Sequence, residues 1–561
     1  MKTNHHMLIP ASLVLGLSLG LCSLTHAAEP HHGADHHAAA DDGTIPLFDG
    51  LGDHHFPITT GEEEAQEYFN QGLMFIYGFN HFEAARSFEE AVKRDSECAM
   101  CYWGLSLALG PHINAPMHPA AVEPAYRALL QAQEHATGAT AREQAYIQAL
   151  EARYVEEPGE DRSELDRAYS EAMRALAADY PDDLDAATLF AESLMNLVPW
   201  NYWDESGEPR TETVELVEAL ESVLEREPYH AGALHYYIHT IEDSPNPERA
   251  EGAADRLSEL NIPIGHMIHM PAHIYALVGR WHDASAANEG ALVEDESYLA
   301  QHDVEGMIPL LYHPHNFHFL AWTASMEGRF EVAYKAANEL VQATQKELAG
   351  DLPFLNNFLT APTLTLVRFG KWDDILALSG PSTEGVYGRA IHHYARGLAL
   401  AADGQLVEAG EEADQLSAIA VSEEAEALEM PEAFFPGATM LAIADHVLQA
   451  RLALLNDDGD RAISLLEEAV TLQGTLPYME PPYWFASARL NLGDALLALD
   501  RPEKAEAVYR ADLEEYPNNG WALFGLAESL RTQGDQEAAE EIAVQFEEVW
   551  QHADEQLTAG R

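Results

Sequence analysis

Apolar side chains recur with a helical period along most of this chain. In the stretch EAQEYFNQGLMFIYGFNHFEAARSFEEAVKRD they fall at i, i+3, i+4 and i+7, with a break at Gly78–Asn80 before a second amphipathic helix. Comparable stretches continue almost to the end of the sequence. No strand–helix alternation, Gly-rich phosphate loop or G-x-S-x-G motif accompanies them. The pattern predicts an all-α chain and excludes a parallel-sheet enzyme.

Small and aromatic residues recur at fixed places within these helix pairs. They are Gly72, Ala84, Phe88 and Ala91 near the start, and Leu492, Gly493, Ala505, Tyr509, Pro517, Trp521, Ala527, Gly534 and Ala539 near the end. The interval from Ala505 to Ala539 matches a period of about 34 residues. In these positions the chain resembles the tetratricopeptide repeat family. The resemblance implies a tetratricopeptide-type α-α superhelix, a solenoid of antiparallel helix pairs whose first helices line a concave groove.

The resemblance covers most of the sequence, and its strength varies along the chain. We expect N-terminal repeats over residues 62–228, a histidine-rich central set over 229–345 and C-terminal repeats over 346–556. Between residues 115 and 227 the helices are clear but the spacing drifts, and residues 420–436 form an acidic insertion.

Histidine repeats with the fold in the central set. His235, His269 and His318 each lie fifteen residues before an alanine that begins the packing face of the second helix of its unit. His239 and His273 follow the first two at i+4, so each pair shares one helix face. The family resemblance places these five histidines on groove-lining helices.

This arrangement predicts a transition-metal site. Two histidines at i, i+4 form a half-site for zinc, and a neighbouring helix about 8–10 Å away can supply further imidazoles. Glu242 continues the face of His239 and is a candidate ligand or catalytic base. Candidate outer ligands or orienting residues stand at the helix entrances: His230, His266, His313 and His315. We expect a divalent transition metal, Zn or Cu first, with Fe or Ni as further options. The competing interpretation is a groove whose hydrogen-bonded imidazoles bind a peptide or an anion.

The N-terminal residues predict export. Lys2, an apolar run from Met7 to Leu24 and small residues up to Ala28 are typical of a secretory signal over residues 1–28. A histidine-rich, low-helix stretch over 29–60 predicts a disordered leader that holds metal ions loosely. We expect no later membrane span, and a periplasmic or secreted protein.

Charge and cysteine content restrict the function classes further. The chain has 94 acidic and 30 basic residues, a formal charge of -64, which disfavours nucleic acid and anionic membranes as partners.

Cys98 and Cys101 stand at a helix start without a haem-attachment histidine, which favours a packing or redox pair and leaves a local disulfide open.

Three functions remain open from the sequence. The first is an exported repeat protein that binds a peptide, a protein or a small molecule in its groove, with a metal site in the central repeats. The second is a secreted metal-dependent hydrolase or oxidoreductase that uses the histidines and Glu242. The third is a periplasmic metal storage or delivery protein.

Overall fold

The computed structural model describes residues 45–159, 161–204, 206–301, 306–350, 352–430 and 435–557. The predicted signal (1–28) and residues 29–44 of the predicted leader lie outside this part. The described residues form two compact units. The N-terminal unit comprises residues 45–271 and 293–308, and the C-terminal unit comprises 272–292 and 309–557. The boundary falls inside the segment 229–345 that the sequence predicts as one set of repeats.

The N-terminal unit consists mainly of helices in its described residues. Its helices are α1 (Glu63–Tyr77), α2 (His81–Arg94), α3 (Ala99–Ala108), α4 (Val122–His135), α5 (Ala141–Glu151), α6 (Ser163–Asp179), α7 (Leu184–Met195), α8 (Thr211–Arg226), α9 (Ala231–Ile241), α10 (Glu251–Leu260) and α11 (Gly265–His269). Each helix packs against its neighbour in sequence, as in an antiparallel repeat.

Small residues allow the close helix packing that the sequence predicts. A Cβ on Gly72 of α1 would lie 2.7 Å from the ring of Phe88 on α2, and one on Gly104 of α3 would lie 2.3 Å from it. The ring of Phe88 therefore fills the space that two glycines leave, sixteen residues before and after it. The predicted packing roles of Gly72 and Phe88 are confirmed.

The C-terminal unit repeats the same construction. Its helices are α12 (Pro271–Leu277), α13 (Trp281–Gln301), α14 (His313–Met326), α15 (Phe330–Ala343), α16 (Leu355–Arg368), α17 (Trp372–Ala377), α18 (Val386–Ala402), α19 (Leu406–Ala420), α20 (Glu423–Glu426), α21 (Gly437–Leu455), α22 (Gly459–Gln473), α23 (Ala488–Ala498), α24 (Pro502–Glu515), α25 (Gly520–Gln533) and α26 (Gln536–Val549). Pro271 and residues 293–301 of these helices belong to the N-terminal unit. Tyr509 fills the space left by Gly493 and Gly525, where a Cβ would lie 2.4 and 2.3 Å from its ring. The sixteen-residue spacing of Gly72 and Phe88 thus recurs.

Short elements connect these helices. They are 3-10 helices at Pro119–Ala121, Ala136–Gly138, Pro247–Ala250, Lys346–Gly350 and Trp550–His552, and a π-helical turn at Ile308–Tyr312. Within the predicted acidic insertion, strands β1 (Glu429–Met430) and β2 (Phe435–Pro436) pair antiparallel.

One described helix meets the length and composition of a membrane span. It is α21, whose mean hydropathy reaches 1.3 and which is half buried. The sequence analysis expected no such stretch. Because α21 packs against α18, α19 and α22, its apolar character is that of a core helix.

Residues 45–60, which we call the strap, pack on the N-terminal unit. Phe56 is fully buried among Phe69, Trp103 and Tyr146. Side chains of α1 bond the strap backbone, as where Gln71 Oε1 accepts from Phe48 N–H at 2.8 Å. The prediction of a disordered leader over 29–60 is therefore wrong for residues 45–60. Helical periodicity cannot detect a segment whose backbone is held by side chains of another element.

Cys98 and Cys101 are joined by a disulfide at the start of α3. Cys98 is also the N-cap of this helix, where its sulfur accepts from the backbone N–H of Cys101. Both residues are buried. Of the alternatives that the sequence leaves open, the structure contains the local disulfide.

Candidate metal centre

Three buried histidines of the N-terminal unit face one another. His235 and His239 project from one face of α9, as their i, i+4 spacing predicts, and His266 is the second residue of α11. One ring nitrogen of each lies within 4.8 Å of the other two. The exposed fractions of the three residues are 0%, 2% and 8%.

Hydrogen bonds at the outer nitrogens orient the first two rings. Nδ1 of His235 lies 2.5 Å from the backbone oxygen of Tyr77, and Nδ1 of His239 lies 2.9 Å from Oε1 of Glu242. A carbonyl and a carboxylate only accept, so Nδ1 of each histidine carries the proton and Nε2 presents a lone pair. Ligating histidines in metal sites have this same outer hydrogen bond.

The inner nitrogens have the spacing of metal ligands. Nε2 of His239 and Nε2 of His266 are 3.4 Å apart. A tetrahedral ion with bonds of about 2.0–2.1 Å separates its ligand nitrogens by roughly 3.3–3.4 Å. A hydrogen bond between the two imidazoles would also explain this distance.

That hydrogen bond does not account for His235. Among the described residues, its buried Nε2 has no hydrogen-bond partner. A buried polar atom without a partner costs about 1–3 kcal/mol. An ion coordinated by the three imidazoles would satisfy this atom as well as the other two.

Burial also sets the protonation of His235. Desolvation, and then the neighbouring His239, lower the pKa of His235 well below its usual value. The ring is therefore neutral at pH 7, which is the form that binds a metal.

Two aromatic residues with left-handed backbone conformations pack against the three histidines. Phe79, at φ +53°, follows α1, and its ring centroid lies 4.7 Å from that of His235 and 5.6 Å from that of His239. Trp200, at φ +56°, meets His239 edge-on at 5.2 Å. A bulky side chain at positive φ is strained, and such strain is concentrated at functional sites.

Two further histidines adjoin Phe79, one directly and one through the other. The ring of His112 stacks on that of Phe79 at 5.2 Å, and the ring of His81 lies tilted to it at 4.3 Å. Burial, and then Arg153, lower the pKa of His81 to about 4. Neither His81 nor His112 follows the repeat, so the histidine pattern of the sequence does not single them out.

Glu242 and His230 each make a hydrogen bond at α9. Glu242 orients His239, because its Oε1 accepts a hydrogen bond from Nδ1 of that ring. His230 is the N-cap of α9, and its Nδ1 accepts from Ala233 N–H at 3.2 Å. Its proton therefore lies on Nε2, which cannot bind a metal in that form.

His269 ends α11 and is fully buried. Its ring lies 6.0 Å from that of His266. The structure brings His266 together with His235 and His239, although the sequence predicts His266 only as an outer ligand or orienting residue.

The other predicted site residues belong to the C-terminal unit. Nδ1 of His273 lies 2.7 Å from Oε2 of Glu480, and the rings of His273 and His315 are 5.7 Å apart. His313 packs edge-on against Phe317 at 4.9 Å.

His318 packs on Phe358 at 5.0 Å, and burial lowers its pKa to about 3. The expectation that His235, His239, His269, His273 and His318 line an open groove is wrong, because all five are buried. The repeat pattern specifies which helix face they share but not what covers that face.

Comparisons with known proteins give no family or relative. No family model and no curated protein matches the sequence. Among solved structures, yeast Tom70 is 12% identical with a TM-score of 0.27, over 86% of this chain and 90% of that one. The Cut9–Hcn1 tetramer of APC/C is 13% identical with a TM-score of 0.29, over 88% and 76%. The P58(IPK) TPR domain is 12% identical with a TM-score of 0.23, over 84% and 98%.

These values are too low to carry an argument about function. The fold is established by the chain's own helix pairs and by the glycine–aromatic packing that recurs in both units. The prediction of an all-α fold of antiparallel, tetratricopeptide-type helix pairs is confirmed.

Proposed function

We propose that this protein binds one divalent transition-metal ion, Zn²⁺ or Cu²⁺, through His235, His239 and His266. The observation that carries the proposal is Nε2 of His235, which is buried and oriented beside two further imidazoles and has no hydrogen-bond partner within the part of the chain that the structure describes. Imidazole ligands without thiolates suit zinc and copper.

The surroundings of the cluster favour tight binding over catalysis. The ligands are buried, and Phe79 and Trp200 pack against them, whereas a catalytic ion keeps an open position for water or substrate. The Glu242 oxygen beside His239 accepts a hydrogen bond from this ligand, so it serves to orient the ring. An enzyme that uses Glu242 as a base is therefore the less favoured alternative.

The proposed ion would connect parts of the unit that are distant in sequence. His235 and His239 come from α9 and His266 from α11, and Tyr77 at the end of α1 orients His235. Binding would therefore stabilise the folded unit, since the unfolded chain lacks the preformed site.

The wider role that we propose is an exported repeat protein that binds a peptide or protein partner. The apolar run before residue 28 and the disulfide support export. Stacked helix pairs present extended surfaces of the kind used for binding partners. A net charge of -64 enriches cations near the protein, which also suits the third alternative of metal storage or delivery.

Elemental analysis of untagged protein tests the metal proposal. After loading with Zn²⁺ and dialysis against a weak chelator, wild type should retain close to one ion per chain. His235→Ala with His239→Ala should retain less than about 0.1 ion while keeping its helical circular dichroism. Several weakly held ions would favour storage instead.

His318→Ala is the matched control, because His318 is equally buried but packs on Phe358. It should retain the ion. A wild-type chain without metal would overturn the proposal, as would a double variant that binds like wild type.

A further inference from the structure

A second, partly buried polar cluster lies within the N-terminal unit. Asp185, at the start of α7, accepts a hydrogen bond on Oδ1 from the hydroxyl of Tyr77 at 2.5 Å. Nε2 of His54 in the strap lies 2.9 Å from the same oxygen, and Nε2 of His230 lies 3.5 Å from it. Three groups from the strap, α1 and the entrance of α9 thus surround one carboxylate.

Asp185 and His54 form an ion pair in this cluster, with Tyr77 and His230 as polar neighbours. His230 carries its proton on Nε2, because its Nδ1 accepts from a backbone N–H. Although burial opposes ionisation of Asp185, His230 and His54 hold the pKa of its carboxyl well below its usual range. Burial likewise opposes the charge on His54, but Asp185 outweighs it and leaves the pKa of His54 raised.

Tyr77 connects this cluster to the three histidines. Its hydroxyl donates to Asp185, and its backbone oxygen accepts from Nδ1 of the metal-ligand candidate His235. Its ring lies against α9, where a Cβ on Gly232 would approach it to 2.5 Å. A shift of Tyr77 would therefore move the carbonyl that orients His235.

The strap also contacts the segment that leads into α11. A Cβ on Gly50 would lie 3.4 Å from the ring of Pro263, shortly before His266. The strap is thus in contact with α1, with the loop before α11 and, through Asp185, with α7.

We propose that His54 in the strap is a positioning residue for the metal site, acting on His235 through Asp185 and Tyr77. The proposal rests on the proposed metal binding. An ion pair between His54 and Asp185 holds the strap down and fixes Tyr77. A fixed Tyr77 keeps Nε2 of His235 directed at the ion. Loss of an outer orienting partner weakens metal sites by about 10–100-fold.

Coupling of this kind is reciprocal. If docking of the strap strengthens zinc binding by a given factor, zinc must protect the strap from opening by the same factor. A loss of zinc affinity in a strap variant, without any effect of zinc on strap opening in wild type, would therefore not arise from strap docking.

The test uses the full-length protein and Zn²⁺. Affinity is measured by chelator competition at constant pH, and strap opening is measured by hydrogen exchange of residues 45–60 with and without Zn²⁺. His54→Ala and Tyr77→Phe should each weaken zinc binding about tenfold. Zinc should slow strap exchange in wild type by a similar factor.

Thr60→Val is the matched control. Thr60 lies at the other end of the strap, where its hydroxyl donates a hydrogen bond to Asp95 at 2.6 Å. This bond does not involve Asp185 or Tyr77. This variant should bind zinc as wild type does. Wild-type affinity in His54→Ala and Tyr77→Phe, with no effect of zinc on strap exchange, would overturn the positioning role and leave the metal site standing. Absence of zinc from wild type itself would overturn both.

Discussion

Replacing Glu242 by Gln tests whether the hydrogen bond between Glu242 and His239 strengthens metal binding at the candidate centre. Glu242 and His239 are both 2% exposed, and Oε1 of the carboxylate lies 2.9 Å from Nδ1 of the ring. Gln retains an oxygen that accepts this hydrogen bond but removes the charge. Glu242→Ala removes both.

The expected effect follows from the role of outer partners. The negative charge makes the imidazole a stronger ligand, and loss of such a partner costs about 10–100-fold in affinity. This range corresponds to about 1.4–2.7 kcal/mol. We expect Glu242→Gln to weaken Zn²⁺ binding by about tenfold and Glu242→Ala by more, when affinity is measured by competition with a chelating dye.

Glu327→Gln provides a matched control in the C-terminal unit. Glu327 is also buried, and its Oε2 lies 3.0 Å from Nδ1 of His282. Both substitutions remove a buried carboxylate charge beside Nδ1 of a histidine; Glu327 also pairs with Arg329, and only Glu242 faces a proposed ligand. Equal zinc affinity in wild type and Glu242→Gln, or an equal loss in Glu327→Gln, would refute the reasoning.

Four further predictions concern packing, helix propensity, charge and pH. Gly104→Ala should lower the free energy of unfolding, measured by urea denaturation, by about 1–3 kcal/mol, because its Cβ would lie 2.3 Å from Phe88. Gly410→Ala, with nothing within 4 Å, should stabilise its helix by up to about 1 kcal/mol. Added NaCl should raise the melting temperature because it screens the charge of -64, and a fall would contradict this. The pKa of His54 is raised by Asp185, so its contribution is complete below about pH 6.5 and is lost as pH rises through the folded pKa. Strap exchange, corrected for its intrinsic pH dependence, should increase above that pH in wild type but not in His54→Gln.

The repeat fold could be predicted because it has a local signature. Phe88 between Gly72 and Gly104, and Tyr509 between Gly493 and Gly525, mark where two helices approach a third. Such positions appear in sequence at fixed intervals. The i, i+4 pairing of histidines on α9 is equally local, and the structure places the pair on one face as expected.

The composition of the site could not be predicted in the same way. His266 lies on a helix of only five residues, so no periodicity specifies where its ring points. The repeat relation made His318 equivalent to His235, yet His318 packs on Phe358 in the other unit. Equivalent places in successive repeats share a helix face but not a set of neighbours.

The strap shows a second limit of sequence patterns. Its residues lack periodicity and are rich in His, Asp and Gly, which is typical of disorder. Its order comes from contacts with α1 and α7, such as that of His54 with Asp185. Contacts between elements far apart in sequence leave no local pattern.

Anomalous diffraction at the zinc edge, from crystals of the zinc-loaded full-length protein, tests the central claim most directly. We predict one strong peak in the N-terminal unit, about 2.0–2.1 Å from Nε2 of His235, His239 and His266. A peak bound by other residues, or no peak among these three imidazoles, would contradict the proposed metal site.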